Sequence, residues 1–218
     1  MSLQYLKHFG RGLLGRNSPQ VVGGEQPSSH YDGYYAKSAA YNAHYSKSVY
    51  YFLWSVIADR IEHSGITSVL EIGCGPGQLA SMLLDRGLQS YTGMDFSPKA
   101  IEMARKNCPK GRFEVGDALA TDLHRQVDHD LIICTEVLEH IENDLQVVSR
   151  FRPGVRCICT VPSFAHESHV RLFRDCEEVK SRYGPFFEHL EVSSWISPNY
   201  QPDLFFLMDG RRSFKTIN

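Results

Sequence analysis

The chain has 218 residues, 23 Lys and Arg against 25 Asp and Glu for a formal net charge of −2, and a composition that is 42% hydrophobic and 22% charged. That balance excludes collagen-like and wholly disordered chains and argues against a general polyanion binder. No apolar run reaches the ~20 residues that a membrane-spanning helix needs.

At roughly 100–200 residues per domain, the length predicts one domain with short additions. Residues 1–30 scatter glycine and proline among polar groups and predict a mobile leader. A tyrosine-dense stretch over 31–51 follows, with Tyr31, Tyr34, Tyr35, Tyr41, Tyr45, Tyr50 and Tyr51, a composition that suits a lid over a ligand. The stripe Val49, Leu53, Val56, Ile57 and Ile61 predicts an amphipathic helix over 46–63, ended by Gly65. Strands and helices then alternate. Strands are expected at 68–72, 91–94, 112–115, 130–134 and 155–161, with helices after Gly77 and after Ser97-Pro98, a cap followed by proline at the first helical position. Two further runs, 188–196 and 204–208, are joined through Ser197-Pro198-Asn199 and predict a terminal antiparallel hairpin. The pattern is that of an α/β, Rossmann-like, doubly wound sheet. Cysteines at 74, 108, 134, 157, 159 and 176 form no C-x-x-C pair and read as reduced, mostly buried thiols of a cytoplasmic protein.

The most informative segment is VLEIGCGPGQLA, 69–80, a buried strand running through Gly73, Gly75 and Gly77 into a helix. Glycines there let the backbone turn tightly and approach a ligand. The dinucleotide fingerprint G-x-G-x-x-G fails because Gln78 stands at its sixth position, and no Lys-Ser or Lys-Thr pair follows for a phosphate-gripping loop. Acidic Glu71 would be awkward beside a pyrophosphate and acceptable beside a cation. Asp95 closes the second strand, where an acid accepts from both ribose hydroxyls. Phe96 offers a face to a purine, and Asp117-Ala118 ends the third strand, where a carboxylate accepts from an exocyclic amine. A ligand with a cationic end, a ribose and an adenine but no phosphate satisfies these features together.

Glu71-Ile-Gly-Cys-Gly-Pro-Gly, Gly93-Met-Asp95-Phe-Ser, Gly116-Asp117-Ala and Cys134-Thr-Glu-Val-Leu-Glu-His140 resemble the successive motifs of class I S-adenosylmethionine (SAM)-dependent methyltransferases of the type 11/23 kind. The resemblance implies a seven-stranded sheet, mostly parallel with one antiparallel C-terminal strand. It also implies a domain over 31–218, divided into a lid and helical segment 31–64, a cofactor-binding core 66–162 and an acceptor-side helix and hairpin 163–218. Glu71, Gly73, Cys74, Gly75 and Gly77 would hold the methionine moiety, Asp95 the ribose, and Phe96, Asp117 and Ala118 the adenine, with Thr135 on the same donor side; S-adenosylhomocysteine (SAH) would be the product.

Glu136, Glu139 and His140 follow the fourth strand and, on a helix, would share one face as a ligand set for a divalent cation such as Mg²⁺. Their E-x-x-E-H string is similar to strings in ubiquinone-pathway O-methyltransferases and small-RNA 2′-O-methyltransferases. His140, Glu136 and His166 are the candidate catalytic residues, a hydroxyl nucleophile needing its proton removed. His166 and His169 lie just beyond the fifth strand and offer a further ligand or base. His63 and His124 are expected to be solvated, as are Arg150, Arg152, Arg156, Arg171 and Arg174 unless they form an anionic-substrate handle. The implied reaction is methyl transfer from SAM to a small-molecule or carrier-bound acceptor, expected at oxygen. N- or C-methylation and a non-catalytic SAM-binding sensor or partner subunit are the alternatives. The near-neutral charge makes nucleic acid an unexpected partner. The oligomeric state is left open.

Overall fold

The computed structural model describes residues 23–196 and 202–215. Seven strands form one sheet: β1 Ser68–Ile72, β2 Ser90–Asp95, β3 Arg112–Val115, β4 Leu131–Thr135, β5 Arg156–Pro162, β6 Phe187–Ile196 and β7 Leu204–Arg212. Their order is β3-β2-β1-β4-β5-β7-β6. β7 runs antiparallel to both neighbours, and the other pairings are parallel. The expected doubly wound sheet with one reversed strand is therefore found. The Ser197-Pro198-Asn199 link of the hairpin, like residues 1–22 of the expected leader, lies outside the described residues.

Alternation along each strand divides the core between the two faces, as the period of two dictates. Val69, Leu131, Ile133, Ile158, Phe205 and Leu207 face one helical layer. It is built from α2 Tyr51–Glu62, α3 Gln78–Asp85 and α4 Pro98–Asn107. Leu70, Ile132, Cys134, Cys157, Cys159, Phe206 and Met208 face the other. There α5 Leu123–Gln126, α6 Asp144–Arg150 and α7 Cys176–Tyr183 pack. Strands covered on both faces become almost wholly apolar, as β4 is. Five of the six thiols are buried. No described helix is long and apolar enough to cross a membrane.

Two local expectations, a helix start and a residue of its apolar stripe, are corrected. The helix expected over 46–63 begins only at Tyr51, because Ser48 is extended and a separate 3-10 turn occupies Tyr45–Lys47. Val49 consequently leaves the apolar stripe and is exposed. Residues 28–30 of the expected leader form the first turn of α1 Ser28–Lys37, and Gly24 donates a hydrogen bond to Glu167 O at 3.1 Å. The strand order reverses beside β1, which has β2 on one side and β4 on the other. In open α/β sheets that reversal opens a crevice at the carboxyl ends of the strands.

Candidate functional site

A cavity of about 350 Å³ occupies that crevice. On the β1–β2–β3 side, the loop after β1 is fastened to β2 by Gly73 N and Cys74 N, which both donate to Met94 O at 2.8 and 2.9 Å. Gly73 has φ +75°, and a Cβ there would fall 2.2 Å from Val137 Cγ2, so only glycine fits. Asp95 has both oxygens engaged, Oδ2 accepting from Gly75 N at 3.0 Å and Oδ1 from Ser97 N at 2.9 Å. Burial pushes its carboxyl up to about 6 against the pull of those two N–H groups. Glu71 is buried, and its Oε2 has no hydrogen-bond partner. Burial and the neighbouring Asp95 raise it well above the usual carboxylate range, opposed by a hydrogen bond from Thr135. Of the ten residues expected to hold the donor, Glu71, Gly73, Cys74, Gly75, Asp95, Phe96, Asp117, Ala118 and Thr135 line the cavity. Gly77 does not. A Cβ there would lie 3.1 Å from Ala104, so this glycine instead lets α3 pack against α4.

On the β4–β5 side the expected helix is replaced by a single 3-10 turn, Leu138–His140, entered through Glu136 at φ 55°. The shared helical face of Glu136, Glu139 and His140 therefore does not form. Glu136 is held by Thr160, whose hydroxyl donates to Oε1 at 2.9 Å, and burial raises its carboxyl to about 8. Glu139 is wholly buried and neither oxygen makes a hydrogen bond, although Oε1 lies 3.5 Å from His140 Nε2; burial and the neighbouring Glu136 raise its carboxyl well above the usual range. His140 Nδ1 lies 3.0 Å from Ser168 O, and His169 Nδ1 lies 2.9 Å from Phe164 O. A carbonyl beside Nδ1 fixes the proton there and leaves Nε2 as a lone pair in each ring. Burial lowers His140 to about 4 and, together with His140, lowers His169 to about 3; both rings are neutral at pH 7. Among the described residues, one set offers three ligand atoms mutually within 4.8 Å: Glu139, His140 and His169. An O,N,N set of one carboxylate and two imidazoles fits a divalent first-row metal, and the two orphaned carboxylate oxygens favour a cation there. His166 borders the same cavity, its Nδ1 2.7 Å from Ser168 Oγ.

Residues 24–43 roof the cavity. The Tyr31 ring meets Phe96 at 5.1 Å and His140 at 5.8 Å between centroids, edge-on in both cases. Asp32 accepts from Ser97 Oγ at 2.5 Å and from Lys99 N at 3.1 Å, and Glu25 accepts from Glu142 N at 2.8 Å. Gln78 Nε2 donates to Ala40 O and Ala43 O, and Asn107 Nδ2 to Tyr41 O, so α3 and α4 grip the segment. Of the seven tyrosines in the stretch, Tyr31, Tyr34, Tyr35, Tyr41 and Tyr50 line the cavity, whereas Tyr45 and Tyr51 do not. Sequence reasoning missed Glu25, His30, Trp54 and Ser168 in the lining. No motif marks them, since they reach the cavity only through chain reversal.

Several polar residues expected to be solvated are not. His124 is buried, and burial lowers it below its ordinary value. Arg156 clasps Asp209 at 2.9 and 2.7 Å, Arg150 reaches Thr121 O, and Arg171 is turned into the protein.

Residues 69–154 match the family described as "methyltransferase domain". Among curated relatives, a mitochondrial ubiquinone biosynthesis O-methyltransferase from Schizosaccharomyces pombe is 31% identical over 121 residues, covering 51% of this chain and 43% of the relative. A small RNA 2′-O-methyltransferase from Arabidopsis thaliana is 32% identical over 120 residues, covering 46% of this chain and 13% of the relative. The chain thus spans less than half the length of either. The fold is similar to the crystal structure of magnesium protoporphyrin IX methyltransferase from Synechocystis PCC 6803 with bound SAM. The TM-score is 0.64 at 15% identity, over 89% of this chain and 100% of that one.

Proposed function

We propose that the chain acts as a class I SAM-dependent methyltransferase and transfers the SAM methyl group to an oxygen of a small-molecule or carrier-bound acceptor. The observation that carries the reading is the pairing of two kinds of subsite in one cavity. One half has a carboxylate strand end and a glycine loop suited to a cationic nucleoside. The other has a buried carboxylate and two neutral imidazoles suited to activating a hydroxyl.

In this reading Asp95 accepts from the ribose hydroxyls, while Phe96, Asp117 and Ala118 flank the adenine. Glu71, Thr135 and the loop Gly73, Cys74 and Gly75 surround the methionine end. The acceptor oxygen attacks the methyl carbon as the carbon–sulfur bond breaks, the sulfonium becomes a neutral thioether, and the acceptor's proton passes to the protein. Glu136, raised by burial into the neutral range, and the lone pair of His166 are the candidate proton acceptors, a role His140 would fill only with no cation on its Nε2. Glu139, His140 and His169 are the residues that would hold a divalent cation. When bound, it would lower the pKa of a coordinated hydroxyl. Holding nucleophile and methyl in line supplies most of the acceleration, ~7–11 kcal/mol from proximity alone. The roof over 24–43 serves as the lid that excludes water from this step, and oxygen as the acceptor atom is supported by the names of the two curated relatives.

The test is calorimetric titration of SAH into metal-stripped protein, repeated with Asp95→Ala. Binding near ~−8 kcal/mol that the substitution abolishes supports the donor half. No binding by folded protein refutes the function.

A further inference from the structure

The Leu138–Glu142 segment carries Glu139 and His140 yet has almost no hydrogen-bond ladder of its own. Its one 3-10 turn is entered at positive φ, and the Ile141 N to Leu138 O bond is stretched to 3.5 Å. Carbonyls left without helical partners must be satisfied from elsewhere when they are buried. Arg171 supplies the donors. Its Nη1 donates to Leu138 O and, at 2.6 Å, to Ile141 O, while Nη2 donates to Glu142 O at 2.9 Å. The guanidinium is itself held 3.3 Å from Asp144 Oδ2. Asp144 is wholly buried and further fixed by Arg182 at 2.8 and 2.6 Å and by the Tyr183 hydroxyl at 2.7 Å. The loop leading to Arg171 is stitched to the same turn by Val170 N, which donates to Glu139 O at 2.8 Å. His169 sits two residues before Arg171.

We propose that Arg171 is a positioning residue that holds the Leu138–Glu142 turn so that Glu139 and His140 stay in register with His169. The proposal rests on the reading that these three residues serve the acceptor side. Arginine is required rather than any cation, because only its planar fork can reach three carbonyls and a carboxylate at once. An ammonium is a single point donor and would satisfy one or two of them.

The experiment compares wild type, Arg171→Ala and Arg171→Lys, each metal-stripped. SAH affinity is read by calorimetry, Mn²⁺ affinity by electron paramagnetic resonance, and amide exchange over 137–142 by mass spectrometry. Arg171→Ala is expected to weaken Mn²⁺ about 10- to 100-fold, the range for partners that orient metal ligands, with SAH affinity unchanged. Millimolar guanidinium, but not equal NaCl, is expected to restore Mn²⁺ binding, and Arg171→Lys to lie between. Wild-type Mn²⁺ affinity in Arg171→Ala overturns the proposal, as does parallel loss of SAH binding, which would mark a merely structural role. If Arg171→Ala does not fold, full Mn²⁺ affinity in Arg171→Lys overturns it. Wild-type protein that binds SAH but no Mn²⁺ sinks the metal reading alone. Arg171 is then judged by exchange over 137–142, where faster exchange in the variant sustains its hold on the turn and unchanged exchange removes it.

Discussion

Asp95→Asn separates two roles of one carboxylate. In the folded protein the Asp95 carboxyl titrates at about 6 because it is buried, against 3.8 for an ordinary aspartate. A folded-state pKa above the unfolded one means that the native state holds the proton longer. The associated stability is fully present below pH 3.8 and is lost as pH rises through 6. The whole shift corresponds to ~3 kcal/mol, of which roughly 1 kcal/mol falls between pH 5 and pH 7. Asparagine does not titrate, so that slope disappears from the variant. Its single carbonyl oxygen also accepts from only one of Gly75 N and Ser97 N, leaving the other donor facing an amide at a cost of about 1–3 kcal/mol. Urea denaturation of both proteins at pH 5 and pH 7 measures the difference of differences. Asp95→Asn should be the more destabilised at pH 5, the gap narrowing by roughly 1 kcal/mol at pH 7. SAH affinity at pH 7 should fall by roughly 100-fold, about 3 kcal/mol, as two hydroxyl-to-carboxylate bonds are lost. A gap that widens with pH, or SAH affinity that survives, refutes the account of a buried carboxylate that is raised by burial and reserved for ribose.

Other perturbations test the remaining pieces. His169→Ala should remove Mn²⁺ binding, whereas Glu136→Gln should leave it and lower turnover; the reverse pattern would restore the Glu136, Glu139, His140 set expected from the sequence. Asp32→Asn weakens charge-assisted bonds to Ser97 Oγ and Lys99 N, worth about 1.5–3 kcal/mol. It should speed amide exchange over 28–37, an effect that bound SAH reduces; exchange indifferent to both would refute the lid. Gly73→Ala combines a positive-φ penalty of about 1–3 kcal/mol with a Cβ 2.2 Å from Val137 Cγ2. A thermal melt should show a lowered Tm, and an unchanged Tm would contradict the loop geometry.

The donor half was legible because its chemistry is written in consecutive residues. A strand, three glycines and an acid at the next strand end stand close along the chain, and the backbone that joins them also places them. Gly77 shows the limit even there, since its need for glycine comes from Ala104 on a different helix. The acceptor half was legible in residue type but not in geometry. E-x-x-E-H suggests a helix by spacing, and the structure replaces it with one 3-10 turn after Glu136 takes positive φ. Glu136, tied to Thr160 of β5, stands outside the group of side chains that come within ligand distance of one another, and His169 from the following loop joins Glu139 and His140 there. Arg171 was harder still. An arginine in a polar stretch reads as solvated, and its three carbonyl partners sit about thirty positions earlier. Local propensity carries no trace of such a clamp.

The carboxyl groups in the cavity fall into two kinds. Glu71, Asp95, Glu136 and Glu139 all line it, and burial raises each. Two are compensated locally: Asp95 by backbone N–H groups and Glu136 by the Thr160 hydroxyl. The orphaned oxygens are Glu71 Oε2 and both oxygens of Glu139. A buried carboxylate without a partner is unfavourable enough that it either stays protonated or waits for a positive charge. Glu71 lies beside the glycine loop, where a sulfonium and an ammonium would arrive together. Glu139 lies beside two imidazoles that burial keeps neutral and whose free lone pairs suit a metal ion. The two groups follow different strands, Glu71 lying in β1 and Glu139 in the turn after β4. Methyl transfer as proposed would turn the sulfonium beside Glu71 into a neutral thioether and leave Glu139 untouched. Loss of that positive charge would weaken the hold of Glu71 on SAH relative to SAM.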